Sequence, residues 1–226
     1  ELGIAYDAVL VDRRMGHRSA EDWVSNPPGL LPALDCTQQD EPIIEAGAML
    51  LYLAEREQSL LPTASDQRGR FLNWLFYLSS TLHADLGSLV AAARLISGRA
   101  PLPSLRAGLR RRLDGHLALV DRMIAKAGGP WVMGPTLTVC DLYLATLVRW
   151  AQLYPPGDAL PPASLSSFVA LGRLLQKLED RSAVVEACAL EGITPPLFLA
   201  PSLPLAGTAV GSSMPLATIE VGGRVP

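Results

Sequence analysis

The stretch from Asn26 to Glu55 limits the fold most, because it joins a proline-broken apolar run to the start of an apolar helix. Its first part reads NPPGLLPALD. Pro32 has no N–H to give to a sheet, which predicts either a strand that is just beginning or a turn held by a cis peptide bond. A cis bond would present the backbone of Leu31 as a hydrogen-bonding edge for an extended peptide.

The second part of this stretch, EPIIEAGAMLLYLAE, predicts a short strand from Pro42 to Ile44 and then a helix that begins near Glu45 and Ala46. Backbone N–H groups at a helix start bind anions, and the carboxylate of Glu45 can bind an ammonium group. Together with the Leu31 edge, these groups would fit a γ-glutamyl peptide. The pattern is also typical of an ordinary strand–turn–helix with an acid at the helix start, and the residues alone leave both interpretations open.

After a polar linker at residues 58–66, the apolar residues adopt the spacing of helices. Two stripes recur every three or four residues, and each predicts a helix with one buried face. The stripes are Phe71, Leu75, Leu78, Leu82, Leu86 and Leu89, followed by Leu109, Leu113, Leu117, Val120 and Ile124.

The segment GPTLTVCDLYLATLVRWAQL predicts a central helix that is buried on nearly every side. Thr138 and Asp141 have the N-cap and N3 spacing of a capping box, in which each residue satisfies a free donor at the helix start. Replacing either residue should lower stability by roughly 0.5–2 kcal/mol. Cys140 is predicted to be a small buried residue, and a last helix is predicted from Ser182 to Leu190.

Composition excludes several classes of function. The chain has 226 residues and a formal net charge of −3, which does not favour a nucleic-acid surface. Its three cysteines have neither metal nor CxxC spacing, which indicates a reducing compartment and a cytoplasmic protein. Residues 192–219 carry no charge, but their five prolines exclude a spanning helix. Residues 194–226 are therefore predicted to be a disordered tail, with a strand from Met214 to Val221 as the alternative.

The runs NPPGLLPAL and EAGAMLLYLAE, in that order and spacing, resemble the glutathione-binding half of the glutathione S-transferase family. The runs WLFYLSSTLH and VRWAQL, with the late helices ending at LEGI, resemble its bacterial beta-type members. The resemblance implies an α+β fold in three parts. A truncated thioredoxin-like, glutathione-binding domain would span residues 1–60, an all-α helical-bundle domain residues 66–193, and the tail residues 194–226.

The resemblance also implies that part of the thioredoxin-like domain is absent from this sequence. Glu1 to Tyr6 would be the end of its first helix, and Ala8 to Val11 would be its second strand. The first strand and most of the first helix would then have no counterpart here. The family places the Tyr, Ser or Cys that handles the glutathione thiol in that missing part, so this residue is expected to be missing too.

Four residues would bind glutathione by this resemblance. Leu31 and a cis Pro32 would hold the cysteinyl backbone, while Glu45 and Ala46 would hold the γ-glutamyl end. Ala46 stands where the family usually has Ser, and the lost hydroxyl would weaken binding by about 1 kcal/mol.

Two further residues would lie on the reactive side of the ligand. His83, at the end of STLH, would face the thiol and either donate a hydrogen bond to it or take its proton. A packing or surface histidine is the alternative. Trp150 would line the apolar substrate side, although a core tryptophan fits the same pattern. Phe76 replaces an Asn that reaches glutathione in the beta-type members, and Ala84 replaces a Lys found in some of them.

The family therefore implies an enzyme that joins the thiolate of glutathione, its co-substrate, to a small hydrophobic electrophile without a metal. The expected setting is a cytoplasmic homodimer active in detoxification, with no nucleic-acid or membrane partner. Two other functions stay open, namely a non-catalytic binding or scaffold module and a glutathione-dependent isomerase or dehalogenase.

Overall fold

The computed structural model describes residues 1–7, 31–36, 41–98, 100–155 and 165–203. Most of these residues are helical. A π-helical turn, Leu78–Leu82, connects the second helix directly to the third. The α-helices are α1 (Ala46–Arg56), α2 (Arg68–Tyr77), α3 (His83–Val90), α4 (Leu102–Lys126), α5 (Val139–Leu153), α6 (Val169–Glu179) and α7 (Ser182–Leu190).

The extended residues before α1 are held by one antiparallel pairing. Leu34 and Ile43 exchange both of their backbone hydrogen bonds, with N···O distances of 2.8 and 2.9 Å. The strand predicted from Pro42 to Ile44 is therefore reduced to a single bridge in the described part of the chain. The strand predicted from Ala8 to Val11 lies outside the described residues.

Glu1 to Tyr6 were predicted as the end of a helix and a turn at Gly3, and the helical part of this prediction is wrong. These residues form no helix, and Gly3 has a φ of +68°. A residue in this left-handed region breaks a right-handed helix, and glycine reaches it at the lowest cost. The segment is instead tied to the start of α7, because both Nε and Nη2 of Arg181 donate to the Glu1 carboxylate at 2.6 Å.

The core is organised around α5, which contacts α1, α2, α3 and α6. The first predicted apolar stripe is confirmed, since all six of its side chains are no more than 2% exposed. The second stripe is also buried along α4, except that Leu109 is only partly covered. Helical spacing in the sequence thus correctly predicted which faces of α2, α3 and α4 are buried.

The start of α5 carries the predicted capping box. Asp141 is fully buried, and its Oδ2 accepts hydrogen bonds from the backbone N–H of Thr138 at 2.8 Å and from the Thr138 hydroxyl at 3.0 Å. Its Oδ1 accepts a third, from the N–H of Val132 at 2.7 Å. The sequence predicted the local half of this arrangement. It did not predict that the same carboxylate also fixes the loop before the helix.

The prediction of a disordered tail from residue 194 is wrong over its first ten residues. Leu197 and Phe198 are buried, at 1% and 6% exposure. Arg149 on α5 donates to the carbonyl oxygens of Leu197 at 2.6 Å and Ser202 at 2.9 Å. Gln152, one turn later, donates to the carbonyl of Phe198 at 2.7 Å. Apolar side chains and satisfied carbonyls therefore dock this segment despite its prolines, while residues 204–226, with the alternative strand, lie outside the described part.

Glu179 at the end of α6 holds the same segment from the other side. Its Oε1 accepts the backbone N–H groups of Phe198 at 2.5 Å and Leu199 at 2.9 Å. We expect Glu179→Ala to lower the free energy of unfolding by about 1–2 kcal/mol, because two partly buried donors lose their acceptor. Urea denaturation measures this loss. Glu186→Ala removes an exposed carboxylate from α7 and serves as the control; equal losses in the two variants would contradict the prediction.

The described residues also bear on membrane and metal sites. No helix among them combines the length and apolar character that a bilayer crossing requires. Within the same ranges, no three His, Cys, Asp or Glu side chains come together as a metal site.

Candidate functional site

The start of α1 comes unusually close to the π-helical turn. A Cβ atom added to Gly47 would lie 3.2 Å from the Cβ of Ser79, so the absence of a side chain permits this approach. Such π-helical turns occur often at functional sites. Because the turn ends one residue before His83, the contact brings the start of α1 towards the first residue of α3.

The pairing before α1 brings two predicted ligand residues to one place. Leu34 lies opposite Ile43 in antiparallel register. Counting two residues outwards on each side places Pro32 opposite Glu45. The Leu31–Pro32 peptide bond is cis, as the resemblance implied. Glu45 has extended backbone angles and is the N-cap residue of α1, so the loop proline, the acid and the first amides of α1 share one end of the pairing.

His83 faces this region from the helical part of the chain. Its Nδ1 lies 2.7 Å from the hydroxyl of Tyr143. Its ring also meets two aromatic rings of α5 edge-to-face, with centroid distances of 5.8 Å to Tyr143 and 5.4 Å to Trp150. Trp150 is half-buried beside His83 and is not enclosed in the core. The structure therefore places Trp150 against His83.

Electrostatics connects Glu45 to these two side chains. Burial lowers the pKa of His83 below its ordinary value, and the negative charge of Glu45 opposes this shift. Burial also raises the pKa of Tyr143 to about 12, and Glu45 adds to the increase. Glu45, His83, Tyr143 and Trp150 thus form one group of side chains, called the cleft cluster below. It combines an exposed carboxylate, an imidazole that favours its neutral form and a phenol that keeps its proton.

Tyr143 is the member of the cleft cluster that sequence reasoning missed. The prediction of a helix buried on nearly every side includes Tyr143 but gives it no role of its own. One signal was available, because Tyr143 and Trp150 are seven residues apart and therefore lie on one face of the helix, two turns from each other. Two aromatic side chains on the same face of a helix of mainly aliphatic residues indicate that this face has a different environment from the rest of the core.

The departures from the family pattern occupy different positions. Ala46 is partly buried at the start of α1. Phe76 on α2 is 61% exposed, and its carbonyl accepts the Ser80 hydroxyl at 2.7 Å. Ala84 is exposed on α3. Phe76 is therefore a solvent-facing apolar side chain about two turns before the helix that His83 begins.

The cysteines take no part in the cleft cluster. Cys36 and Cys140 are buried, Cys188 is partly buried, and all three are free thiols. Burial, reinforced by the charge of Asp141, raises the pKa of Cys140 to about 12. A thiol with this pKa is not a nucleophile at neutral pH, so Cys140 is a packing residue, as predicted.

Comparison with known proteins places this geometry in a family. No protein-family model matches the chain. Glutathione S-transferase GstA of Escherichia coli O157:H7 is 28% identical over 199 residues, which cover 85% of this chain and 90% of the relative. A GST-like protein of Streptococcus mutans is 36% identical over 200 residues, with coverage of 84% and 72%.

Solved structures of similar proteins also superimpose on this chain. A sphingomonad glutathione S-transferase, solved in complex with glutathione, is 26% identical and superimposes with a TM-score of 0.60 over 76% of this chain and 79% of that one. The match confirms the predicted glutathione S-transferase fold, an α+β architecture with an all-α C-terminal part. Sequence identity above 30% over most of a relative, together with this fold, shows that the chain belongs to the glutathione S-transferase family.

Proposed function

We propose that this protein binds glutathione as a co-substrate and joins its thiolate to a small hydrophobic electrophile. The observation that supports the proposal is the close approach of the start of α1, which Glu45 caps, to the π-helical turn that leads into His83 and its neighbour Trp150. These are groups for the two charged ends of a γ-glutamyl residue and for a thiol beside an apolar surface.

The binding half of the proposal rests on charge complementarity. Glu45 is exposed and can accept the ammonium group of the γ-glutamyl end in a charge-assisted hydrogen bond. The first N–H groups of α1 have no partner within the helix and carry the positive end of its dipole, so they suit the neighbouring carboxylate. Pro32 and Leu31, at the same end of the pairing, would then face the cysteinyl backbone. Ala46 offers the amide without a hydroxyl.

The chemical part of the proposal is that His83 contacts the thiol of glutathione. In the conjugation, the thiol loses its proton, the sulfur attacks an electrophilic carbon, and a C–S bond forms as the leaving group departs with its electron pair. A group that stabilises the thiolate raises the fraction of nucleophile at neutral pH. His83 is half-buried, and the charge of Glu45 acts on its pKa, which supports this role. The half-buried indole of Trp150 would contact the electrophile.

Retention on immobilised glutathione tests the binding half. We expect Glu45→Gln, which keeps the shape but removes the charge, to weaken binding about 10- to 100-fold, the effect of losing one charge-assisted hydrogen bond. Isothermal calorimetry with glutathione gives the Kd. Glu41→Gln is the control, because it removes another exposed carboxylate only four residues away. Equal affinities of wild type and Glu45→Gln would rule out the proposed role of Glu45.

Turnover of an aryl halide such as chlorodinitrobenzene separates the enzyme from its alternatives. Retention together with turnover supports the transferase. Retention without turnover of any electrophile would instead favour the non-catalytic binding module. Absence of both in the wild-type protein would remove glutathione from the proposal.

We also propose the setting of the enzyme, a cytoplasmic homodimer that detoxifies electrophiles, with domain limits at residues 1–60 and 66–193. Light scattering tests the oligomeric state directly. A mass twice the 24.1 kDa of one chain supports the dimer, whereas a single-chain mass at micromolar concentration would contradict it.

A further inference from the structure

We infer that Tyr143 is a positioning residue that fixes the protonation of the His83 ring, so that neutral His83 accepts a hydrogen bond at Nδ1 and carries its own proton on Nε2. Its consequence for the thiol rests on the proposed function. The protonation state itself can be measured without any substrate. It decides between the two possible roles of His83, a donor to the sulfur and an acceptor of the thiol proton.

The direction of the hydrogen bond follows from burial. Tyr143 is 6% exposed, and its hydroxyl lies 2.7 Å from Nδ1 of His83. Within the described residues, Nδ1 is the partner recorded for that hydroxyl. If His83 donated from Nδ1, the phenolic O–H would need another acceptor, and among the described residues that hydroxyl makes no other hydrogen bond. A neutral imidazole has one donor and one acceptor nitrogen, so satisfying both groups requires Tyr143 to donate and Nδ1 to accept.

The groups around His83 favour the same arrangement over the neutral pH range. From α5 it faces the Tyr143 hydroxyl and the Trp150 ring, and from the cap of α1 it feels the carboxylate of Glu45. Burial keeps the pKa of Tyr143 near 12, so its proton is present to be donated. Burial lowers the pKa of His83 and outweighs the opposing charge of Glu45, so the ring is neutral at pH 7 and above.

The consequence is that His83 presents an N–H to the cleft. With Nδ1 engaged by Tyr143, Nε2 is the remaining ring nitrogen, and its proton can be donated to a sulfur anion. The thiol proton leaves to solvent, the N–H stays on the histidine, and the thiolate is stabilised by hydrogen bonding to a neutral ring. A histidine with the opposite protonation would present a lone pair and act as a base.

The chain contains an internal reference for this arrangement. Nδ1 of His116 lies 2.6 Å from the hydroxyl of Tyr77, and its Nε2 lies 2.8 Å from Oδ2 of Asp85. Arg112 also donates to this carboxylate at 2.7 Å. Because a carboxylate only accepts, Nε2 of His116 must carry a proton, and neutral His116 must accept from Tyr77 at Nδ1. In their neutral forms His116 and His83 should therefore carry the ring proton on the same nitrogen, although the partners of His116 are not members of the cleft cluster.

Nitrogen-15 NMR of the histidine rings tests the inference on the whole protein at pH 8, with His83→Gln used to assign the signals. In wild type we expect both His83 and His116 to show a protonated Nε2 and an unprotonated Nδ1. Tyr143→Phe should shift His83 towards a mixture of the two forms and leave His116 unchanged. Tyr77→Phe is the matched control, because it removes the hydroxyl from His116 and should leave His83 unchanged.

Kinetics adds a second readout. We expect Tyr143→Phe to lower kcat/KM about 10-fold, the usual size of an effect from a group that orients an active residue, with an unchanged Kd for glutathione. A protonated Nδ1 on His83 in the wild-type protein overturns the inference without need of any variant. An unchanged His83 spectrum in Tyr143→Phe also overturns it. Failure of the wild type to bind glutathione would overturn the proposed function instead, and would leave the ring protonation as measured.

Discussion

Asp141→Ala is expected to lower the free energy of unfolding by about 2–4 kcal/mol, more than an ordinary helix cap contributes. The carboxylate is fully buried and accepts three hydrogen bonds, two from Thr138 and one from the backbone of Val132. Alanine leaves two buried N–H groups without an acceptor and frees the loop that precedes α5. Since α5 is the helix around which the core packs, the loss should appear in global unfolding.

Urea denaturation at pH 7.5 measures this loss. Burial raises the pKa of Asp141 to about 6, although the hydrogen bonds that its carboxylate accepts act to lower it. The carboxylate is therefore ionised at pH 7.5. Asp114→Ala is the control, because Asp114 is exposed on α4 and should change stability by less than about 0.5 kcal/mol. A loss below 1 kcal/mol for Asp141→Ala would mean that water or another group replaces the carboxylate.

Gly129→Ala is expected to lower the free energy of unfolding by about 3 kcal/mol, for a purely steric reason. A Cβ atom at Gly129 would overlap the carbonyl group of Gly134 and lie 2.6 Å from the nitrogen of Pro135. These are backbone atoms, which cannot rotate away as a side chain can. The turn is also closed by two hydrogen bonds between Trp131 and Gly134, at 2.9 and 3.0 Å, so the clash must open it.

Gly115→Ala is the matched control for this variant. Gly115 is an exposed residue in the middle of α4, and no atom lies within 4 Å of a Cβ added there. The same substitution should therefore raise stability by up to about 1 kcal/mol, since alanine is the better helix former. Opposite signs for the two variants are the expected result of thermal denaturation. Stabilisation by Gly129→Ala would show that the turn can relax.

The helical part was predictable because its signals are local. Spacing identified the buried face of α2 through α4 from Phe71 onwards, and a three-residue spacing identified the Thr138–Asp141 cap. The limits of α7, Ser182–Leu190, were also predicted correctly. Each of these signals lies within a few residues of sequence, where the geometry of a helix fixes which side chains share a face.

The parts that sequence did not predict depend on contacts between distant residues. Tyr143 bonds to His83 across 60 positions, and periodicity cannot show which polar group on one helix meets another. The segment around Leu197 was predicted to be disordered because its prolines dominate a local reading, while its docking depends on Arg149, 48 positions earlier. The ligand roles of Glu45 and Pro32 came from family resemblance, since the same residues fit an ordinary strand–turn–helix.

The width of the cleft is set at a position that carries no functional group. Gly47 packs closely against Ser79 because it has no side chain. Gly47 belongs to α1, which Glu45 caps, and Ser79 belongs to the π-helical turn, which His83 follows. A Cβ added at this point would lie 3.2 Å from that of Ser79, so the two elements would have to move apart by a few tenths of an ångström. The distance between the anchoring end of a bound peptide and its sulfur can therefore be adjusted, by selection or by design, through one small residue that no ligand would contact.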